Sequence, residues 1–320
     1  MTESPPNFAS LVAEGDARLD AGDHRAASAY YTAALKQAEA GAPYDRPTAQ
    51  RALRRLQDIE QGYVRHLHAS LERQGFPQSE WHPRVAKSIA MMTGQIQRED
   101  TGEQYLRMPT TYFYPDLLYA EYYDTAGWSW VKGVEAHTEQ IVSEAKALMD
   151  GGDTFAAYMK RVEDRPQGNS HGLLENDDWS TFDLIDSGKP IADRVGLCPY
   201  TYRAITDFAP QCRIPKRAPT IMFSLLKAGA LIPPHTGMLN PRLICHLPLI
   251  VPGEGALRVG SSTRAWERGK LMVFDDTIEH EAWNRAQTDR LVLIFDIWHP
   301  DLEEIEQAQI AALFDAVDSY

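Results

Sequence analysis

The run from Ser224 to His299 consists of short apolar, strand-like segments, and two of them carry a histidine, His235 and His280, 45 positions apart. Arg290 follows ten residues after the second. Two imidazoles and a guanidinium on such segments are what a non-haem iron centre needs. Imidazole suits Fe(II), and an iron that activates oxygen must keep coordination positions open for oxygen and a cosubstrate. The usual centre adds a carboxylate two residues beyond the first histidine, and here that position is Gly237. Either the metal site is dead or the two histidines hold the metal without a carboxylate ligand.

Composition narrows the class. At 320 residues the chain exceeds one average domain, and its 43% hydrophobic content is ample for a buried core. A net charge of −13 with no long basic tract argues against a nucleic-acid partner. No basic region followed by an apolar core opens the sequence, and no stretch is long and apolar enough to span a membrane. Cys198, Cys212 and Cys245 are too few and too scattered for a disulfide framework or a thiolate metal site. The expectation is a soluble, cytoplasmic protein.

The N-terminal third differs from the rest. Residues 8–95 are rich in Ala, Leu, Glu, Arg and Gln with apolar residues at helical spacing. Gly15, Ala27 and Ala34 are small where two antiparallel helices would touch, Tyr31 fills the gap, and Gly22-Asp23 turns the chain. That pattern resembles one tetratricopeptide repeat. The first helical pair should stop near Gly41-Ala-Pro43. A longer helix is predicted from Thr48 to Gly75, with Leu53, Leu56, Ile59, Tyr63 and Leu67 on one stripe, and a short one from Arg84 to Thr93. The region is read as residues 1–95, followed by a polar linker at 96–109. It either binds a protein or peptide partner or merely caps the next domain.

From Met108 aromatic and β-branched residues alternate with polar ones between frequent turn signals, as in an all-β architecture. A helix from Trp130 to Met149 and another from Thr201 to Phe208 interrupt it. Arg161–Asn176 reads as a surface loop, Thr220–Leu231 as a strand, and 301–320 as a terminal helix. The fold expected is α+β, with the β domain at 110–300.

Spaced blocks sharpen this reading. Ile232-Pro-Pro-His-Thr-Gly-Met-Leu-Asn240, Arg242-Leu-Ile-Cys-His-Leu-Pro-Leu249, Trp266-Glu-Arg-Gly-Lys270, Phe274 to His280 and Ile297-Trp-His-Pro300 recur in the order seen in aspartyl/asparaginyl β-hydroxylases. Weaker matches lie at Tyr112-Phe-Tyr-Pro115, Asp178-Trp-Ser-Thr-Phe182 and Cys198-Pro-Tyr-Thr201. The chain resembles that family over roughly residues 110–300. The resemblance implies a double-stranded β-helix, a cupin-like jelly roll, using Fe(II), 2-oxoglutarate and O₂ to hydroxylate a C–H with succinate and CO₂ as coproducts. It implies His235 and His280 as metal ligands without a third protein ligand. Ser224, His246 and Arg290 would hold the cosubstrate, the guanidinium forking onto its distal carboxylate. Arg242, Asp276 and Trp179 would face the substrate, an Asp/Asn-type side chain in a peptide or an amino-acid-derived molecule.

Two departures bear on function. The family commonly has Leu-Arg-x-His where this chain has Leu243-Ile244-Cys245-His246, so a cosubstrate-holding arginine is missing; Arg242 shares that strand face. Thr181 stands where the founding branch has a longer amide that meets substrate. The competing reading is a non-catalytic peptide- or protein-binding module on a degenerate oxygenase scaffold. Against it stand both histidines, Arg290 and the intact Phe274-to-His280 block.

Overall fold

The computed structural model describes residues 7–99, 101–152, 155–160 and 172–320. Much of the loop expected at 161–176 therefore lies outside the described residues. The chain divides into two compact units, residues 1–82 with 312–320, and residues 83–311.

The first unit is helical. Helices α1 (Phe8–Asp20) and α2 (His24–Glu39) form a hairpin, and α3 (Arg46–Arg73) packs on α2. Each starts at an acid or amide that takes an orphan backbone N–H: Asn7 from Ser10, Asp23 from Ala26, Asp45 from Thr48, all at 2.9 Å. Ala27, Tyr31 and Ala34 are fully buried, with the Tyr31 hydroxyl donating to Asp16 at 2.7 Å. The buried stripe of α3 runs through Ala52, Ile59 and Leu67 to Ser70 and Leu71. Leu53, placed on that stripe by the sequence, is instead 45% exposed, because Ala52 occupies the 3.6-residue phase. Within the same unit the C-terminal end folds back on α3, with His66 bonded to the Ala316 carbonyl at 3.0 Å and Tyr320 to that of Ile59 at 2.8 Å.

The second unit begins with α4 (Pro83–Met92), so the unit boundary precedes residue 95. Helix α4 belongs here because Arg84 pairs with Glu306 at 2.7 Å and the Ser88 hydroxyl meets that of Tyr112 at 2.6 Å. The helix expected at 130–149 is two, α5 (Ser129–Ala136) and α6 (Thr138–Asp150), broken at His137. There the Thr138 hydroxyl bonds the Glu135 carbonyl at 2.6 Å instead of leaving it to the helix ladder. Two further helices are α7 (Ala192–Leu197) and α8 (Pro199–Thr206). The last, α9 (Glu304–Asp318), is divided between the two units.

The strands are β1 (Ala156–Ala157), β2 (Trp179–Asp186), β3 (Lys189–Pro190), β4 (Ile221–Leu226), β5 (Leu231–His235), β6 (Arg242–Ile250), β7 (Gly255–Val259), β8 (Ser262–Ala265), β9 (Met272–Phe274), β10 (His280–Asn284) and β11 (Arg290–Trp298). They form two antiparallel sheets, β1-β2-β4-β11-β6-β9 with β3 beside β2, and β5-β10-β7-β8. This is a cupin-like double-stranded β-helix. The single strand expected over Thr220–Leu231 is split between the sheets by a turn, closed by the Ala230 amide on the Lys227 carbonyl at 3.1 Å. One face of the larger sheet packs on α5, α6 and α8 through Phe182, Leu184, Phe223 and Leu293. The other meets the smaller sheet through Met222, Ile232, Leu257, Phe274 and Ile294. The three cysteines are free and buried, and no described helix is long and apolar enough to cross a membrane.

A Cβ added to Gly15 would lie 2.7 Å from the Tyr31 ring. Gly15→Leu should therefore destabilise the helical unit by about 1–3 kcal/mol, the usual cost of overpacking. Urea unfolding followed by circular dichroism would show this, and an unchanged midpoint would refute the tight seam.

Candidate functional site

Strand alternation builds the site. In β4 the residues Ile221, Phe223 and Leu225 face the helices, and in β11 Leu291, Leu293, Phe295 and Ile297 do the same. Period two then sends Ser224, Arg290 and Asp296 into the barrel. Strand β6 repeats the rule, with Leu243, Cys245 and Leu247 outward and Arg242, Ile244 and His246 inward. These inward groups line a cavity of about 650 Å³ together with Trp179, His235, Asp276 and His280.

At one end, β5 and β10 pair so that His235 is directly opposite His280, and the imidazole centroids are 4.1 Å apart. Each ring places Nδ1 on the carbonyl two residues back, His235 on Pro233 at 2.8 Å and His280 on Ile278 at 3.0 Å. A carbonyl only accepts, so each Nδ1 carries the proton and each Nε2 presents a lone pair. Burial, reinforced by neighbouring His235, pushes His280 down to about 3, so it is neutral and ready to ligate at ordinary pH.

Gly237 explains itself here. A Cβ at that position would fall 2.0 Å from the Asp276 Oδ2. The Asp276 carboxylate thus fills the volume that a side chain two residues after His235 would take. The backbones are locked as well, with the Gly237 amide donating to the Asp276 carbonyl at 2.6 Å. Asp275 points elsewhere, to Arg107 at 2.8 Å, and Glu281 goes to Arg258 at 2.5 Å, so neither reaches the histidines. Asp276 is buried, and that raises its carboxyl to about 6 despite Arg242, whose Nη2 lies 3.6 Å away.

Further into the barrel is a second kind of site. Arg290 is 2% exposed, under the Trp266 ring at 4.9 Å, and its Nε and Nη1 have no hydrogen-bond partner among the described residues. Burial alone lowers its pKa to about 9, which still leaves a full positive charge at neutral pH. A buried cation without a counter-ion is costly unless an anion joins it. Ser224 stands beside it in the ladder, across from Val292, and accepts the Trp179 indole N–H at 3.0 Å, which leaves its hydroxyl proton to donate. His246 is buried, held well below its ordinary pKa by burial and by Arg290, and its Nδ1 also lacks a partner.

Arg242 is different, since it already has acids. Its Nη1 reaches the Asp296 Oδ2 at 3.2 Å and its Nη2 the Asp276 carboxylate. Asp296 is fully buried and raised to about 7 by burial, against the opposing pull of Arg242. Ile244 pairs with Asp296 on one side and Phe274 on the other, an apolar patch in the cavity wall. Trp179 stacks on Tyr158 at 4.0 Å and approaches the His235 ring at 6.1 Å.

With this geometry in view, comparison with known proteins is direct. Residues 135–300 match the sequence profile of the aspartyl/asparaginyl beta-hydroxylases. The chain belongs to this family. It is 35% identical over 184 residues to the mouse aspartyl/asparaginyl beta-hydroxylase, covering 57% of this chain and 23% of that protein. It is 31% identical over 181 residues to the ornithine lipid ester-linked acyl 2-hydroxylase of Rhizobium tropici, covering 56% of this chain and 60% of that one. The chain thus spans under two thirds of the length of either relative. Among solved structures, KdgF from Halomonas sp. is 13% identical over 42% of this chain and 86% of its own, at a TM-score of 0.24.

All eight candidate residues of this β-hydroxylase-family chain, Trp179, Ser224, His235, Arg242, His246, Asp276, His280 and Arg290, line the one cavity. Asp276, expected to face the substrate, sits against Gly237 and within 3.6 Å of Arg242. Sequence reasoning missed Asp296, although counting by twos from Arg290 along the strand reaches it. It also missed Tyr158, whose partnership with Trp179 is non-local and has no sequence signal.

Two outcomes follow. Gly237→Ala should cost about 1–3 kcal/mol by overpacking, and adding Asp276→Gly should recover most of it in a urea double-mutant cycle; simple additivity would refute the packing. Arg290→Met should leave the ligand-free protein as stable or more so, while abolishing any dicarboxylate-induced rise in Tm. A large loss of Tm in the ligand-free variant would contradict an uncompensated charge.

Proposed function

We propose that this cavity is an Fe(II)- and 2-oxoglutarate-dependent hydroxylase site acting on an Asp/Asn-type side chain in a peptide or on an amino-acid-derived substrate. The observation that carries it is Arg290, a buried guanidinium with no acid beside it among the described residues, in the same cavity as two imidazoles that present Nε2. Two imidazoles presenting Nε2 are donors that suit Fe(II), and unpartnered polar atoms on Arg290 and His246 suit a carboxylate. When bound, iron and 2-oxoglutarate would activate O₂, which is the oxidant: one oxygen atom would enter the C–H as C–OH and the other would go to succinate as 2-oxoglutarate loses CO₂. The chain's own tasks are then separate. His235 and His280 hold the metal, with their tautomers fixed by the carbonyls of Pro233 and Ile278. Asp276 adds a negative charge where Gly237 has no side chain. Arg290, Ser224 and His246 hold the distal carboxylate of the cosubstrate. Trp179 and Arg242 bound the space left for substrate, and Ile244 makes part of that wall apolar.

The test is anaerobic: load the protein with Fe(II), titrate 2-oxoglutarate and follow the visible absorption of the complex. Wild type should saturate, His235→Ala should give no band, and Arg290→Ala should need at least tenfold more cosubstrate. Iron bound with no band would replace 2-oxoglutarate by another cosubstrate. No iron bound would favour a binding module on the same scaffold.

A further inference from the structure

The loops 235–240 and 275–280 leave β5 and enter β10, neighbouring strands of the smaller sheet, each crossing to or from the larger sheet, and a segment upstream of the family match at 135–300 touches both. The Met108 amide donates to the Thr277 carbonyl at 2.6 Å, and the Thr110 amide to the Gly237 carbonyl at 2.9 Å. Thr111 and Tyr112 both donate to Met238, at 3.0 and 3.1 Å, and Tyr112 forms a parallel bridge with Leu239. Asn240 closes the far end, accepting the Tyr114 amide at 2.6 Å and donating to its carbonyl at 2.7 Å.

Arg107 pins the near end. It is 5% exposed, its Nε lies 2.8 Å from Asp275 in an ion pair too bent for a good hydrogen bond, and its Nη groups donate to the carbonyls of Leu117 and Leu118. Asp275 in turn accepts the Thr277 amide at 3.0 Å and its hydroxyl at 2.5 Å, which shapes the turn leading to His280. A strap that fixes only one loop would be ordinary packing. This one joins both.

We propose that residues Arg107–Tyr114 form a strap that braces the loops flanking His235 and His280 from outside, holding rigid the pair that the β5–β10 ladder sets opposite one another, with Arg107 as its positioning residue. The inference rests on the metal-site reading of the preceding subsection. Supporting residues of this kind commonly alter metal affinity by about 10–100-fold when removed, and a site held loosely by its surroundings loses function with small displacements.

The experiment is amide hydrogen exchange on the full chain, with and without Co(II), in wild type, Arg107→Gln and Arg107→Lys, alongside Co(II) titration. In metal-free Arg107→Gln the amides of Thr110, Thr111 and Tyr112, whose acceptors are on the other loop, should exchange at least tenfold faster, in step with Met108. Its Co(II) Kd should rise about tenfold, and Arg107→Lys should recover part of both effects. Exchange confined to Thr277 and 117–119, or a Co(II) Kd within twofold of wild type, would overturn the strap. Should Arg107→Gln not fold, wild type still decides: Co(II) must slow exchange at Met108, Thr110 and Tyr112 together, and independent responses would refute the coupling. A wild type that binds no Co(II) would sink the metal reading alone, since cross-loop exchange in the metal-free variants still judges the strap.

Discussion

Register in the ladder β4–β11–β6 is the constraint on which this site depends. Leu293 pairs with Phe223 and Leu247, and Val292 with Ser224. A one-residue slip would turn Ser224, His246, Arg290 and Asp296 into the helix layer and bring leucines into the cavity. Burying a guanidinium and a carboxylate among Phe182, Leu184 and the α5 and α6 side chains would be far costlier than any strand propensity could offset. The large apolar face packed on the helices therefore specifies the polar one. That is how the fold holds Arg290 with no acid beside it among the described residues: the leucines on alternate positions leave it no other direction.

Charge within the cavity is divided unevenly, and the division gives it polarity. Asp276, Arg242 and Asp296 form a chain of two acids around one base, all but sealed from solvent. Arg290 has no such company. A ligand carboxylate entering from solvent meets one guanidinium already engaged and one unengaged. At the first it must displace carboxylates that are held in place by the fold, and at the second it removes a standing desolvation penalty. The two arginines are thus unequal in their pull on an anion, although sequence spacing alone presents them as similar.

What was legible in the sequence was whatever depends on short-range periodicity. His235, His280 and Arg290 could be placed on strands because their neighbours alternate or run apolar. The helical hairpin could be read from Gly15, Ala27, Tyr31 and Ala34 because small residues at helical spacing mark close contact. The failures were non-local or hinged on a single hydrogen bond. Nothing near Asp276 in sequence says that its carboxylate fills the space beside Gly237, since the two loops meet only after both sheets close. The break at His137 and the turn at 227–230 each interrupt an otherwise continuous apolar pattern. Residues 96–109 looked like a polar linker, yet Arg107 is buried, because a charged residue with its acid on a distant loop is indistinguishable by composition from a solvated one.

Ile244 sets an apolar side chain among the charged groups of the cavity wall. It lies between Asp296 and Phe274 in the ladder, two residues from Arg242 on the same face. An arginine at 244 would place a second guanidinium beside the first and leave Asp296 to be shared. With isoleucine there, Asp296 is free to hold Arg242 alone from that side, and its remaining oxygen, Oδ1, has no partner among the described residues. Burial raises the Asp296 carboxyl to about 7, against the opposing pull of Arg242. A neutral carboxyl is a donor as well as an acceptor. Ile244 and Asp296 together thus give this end of the cavity an apolar surface beside a buried carboxyl.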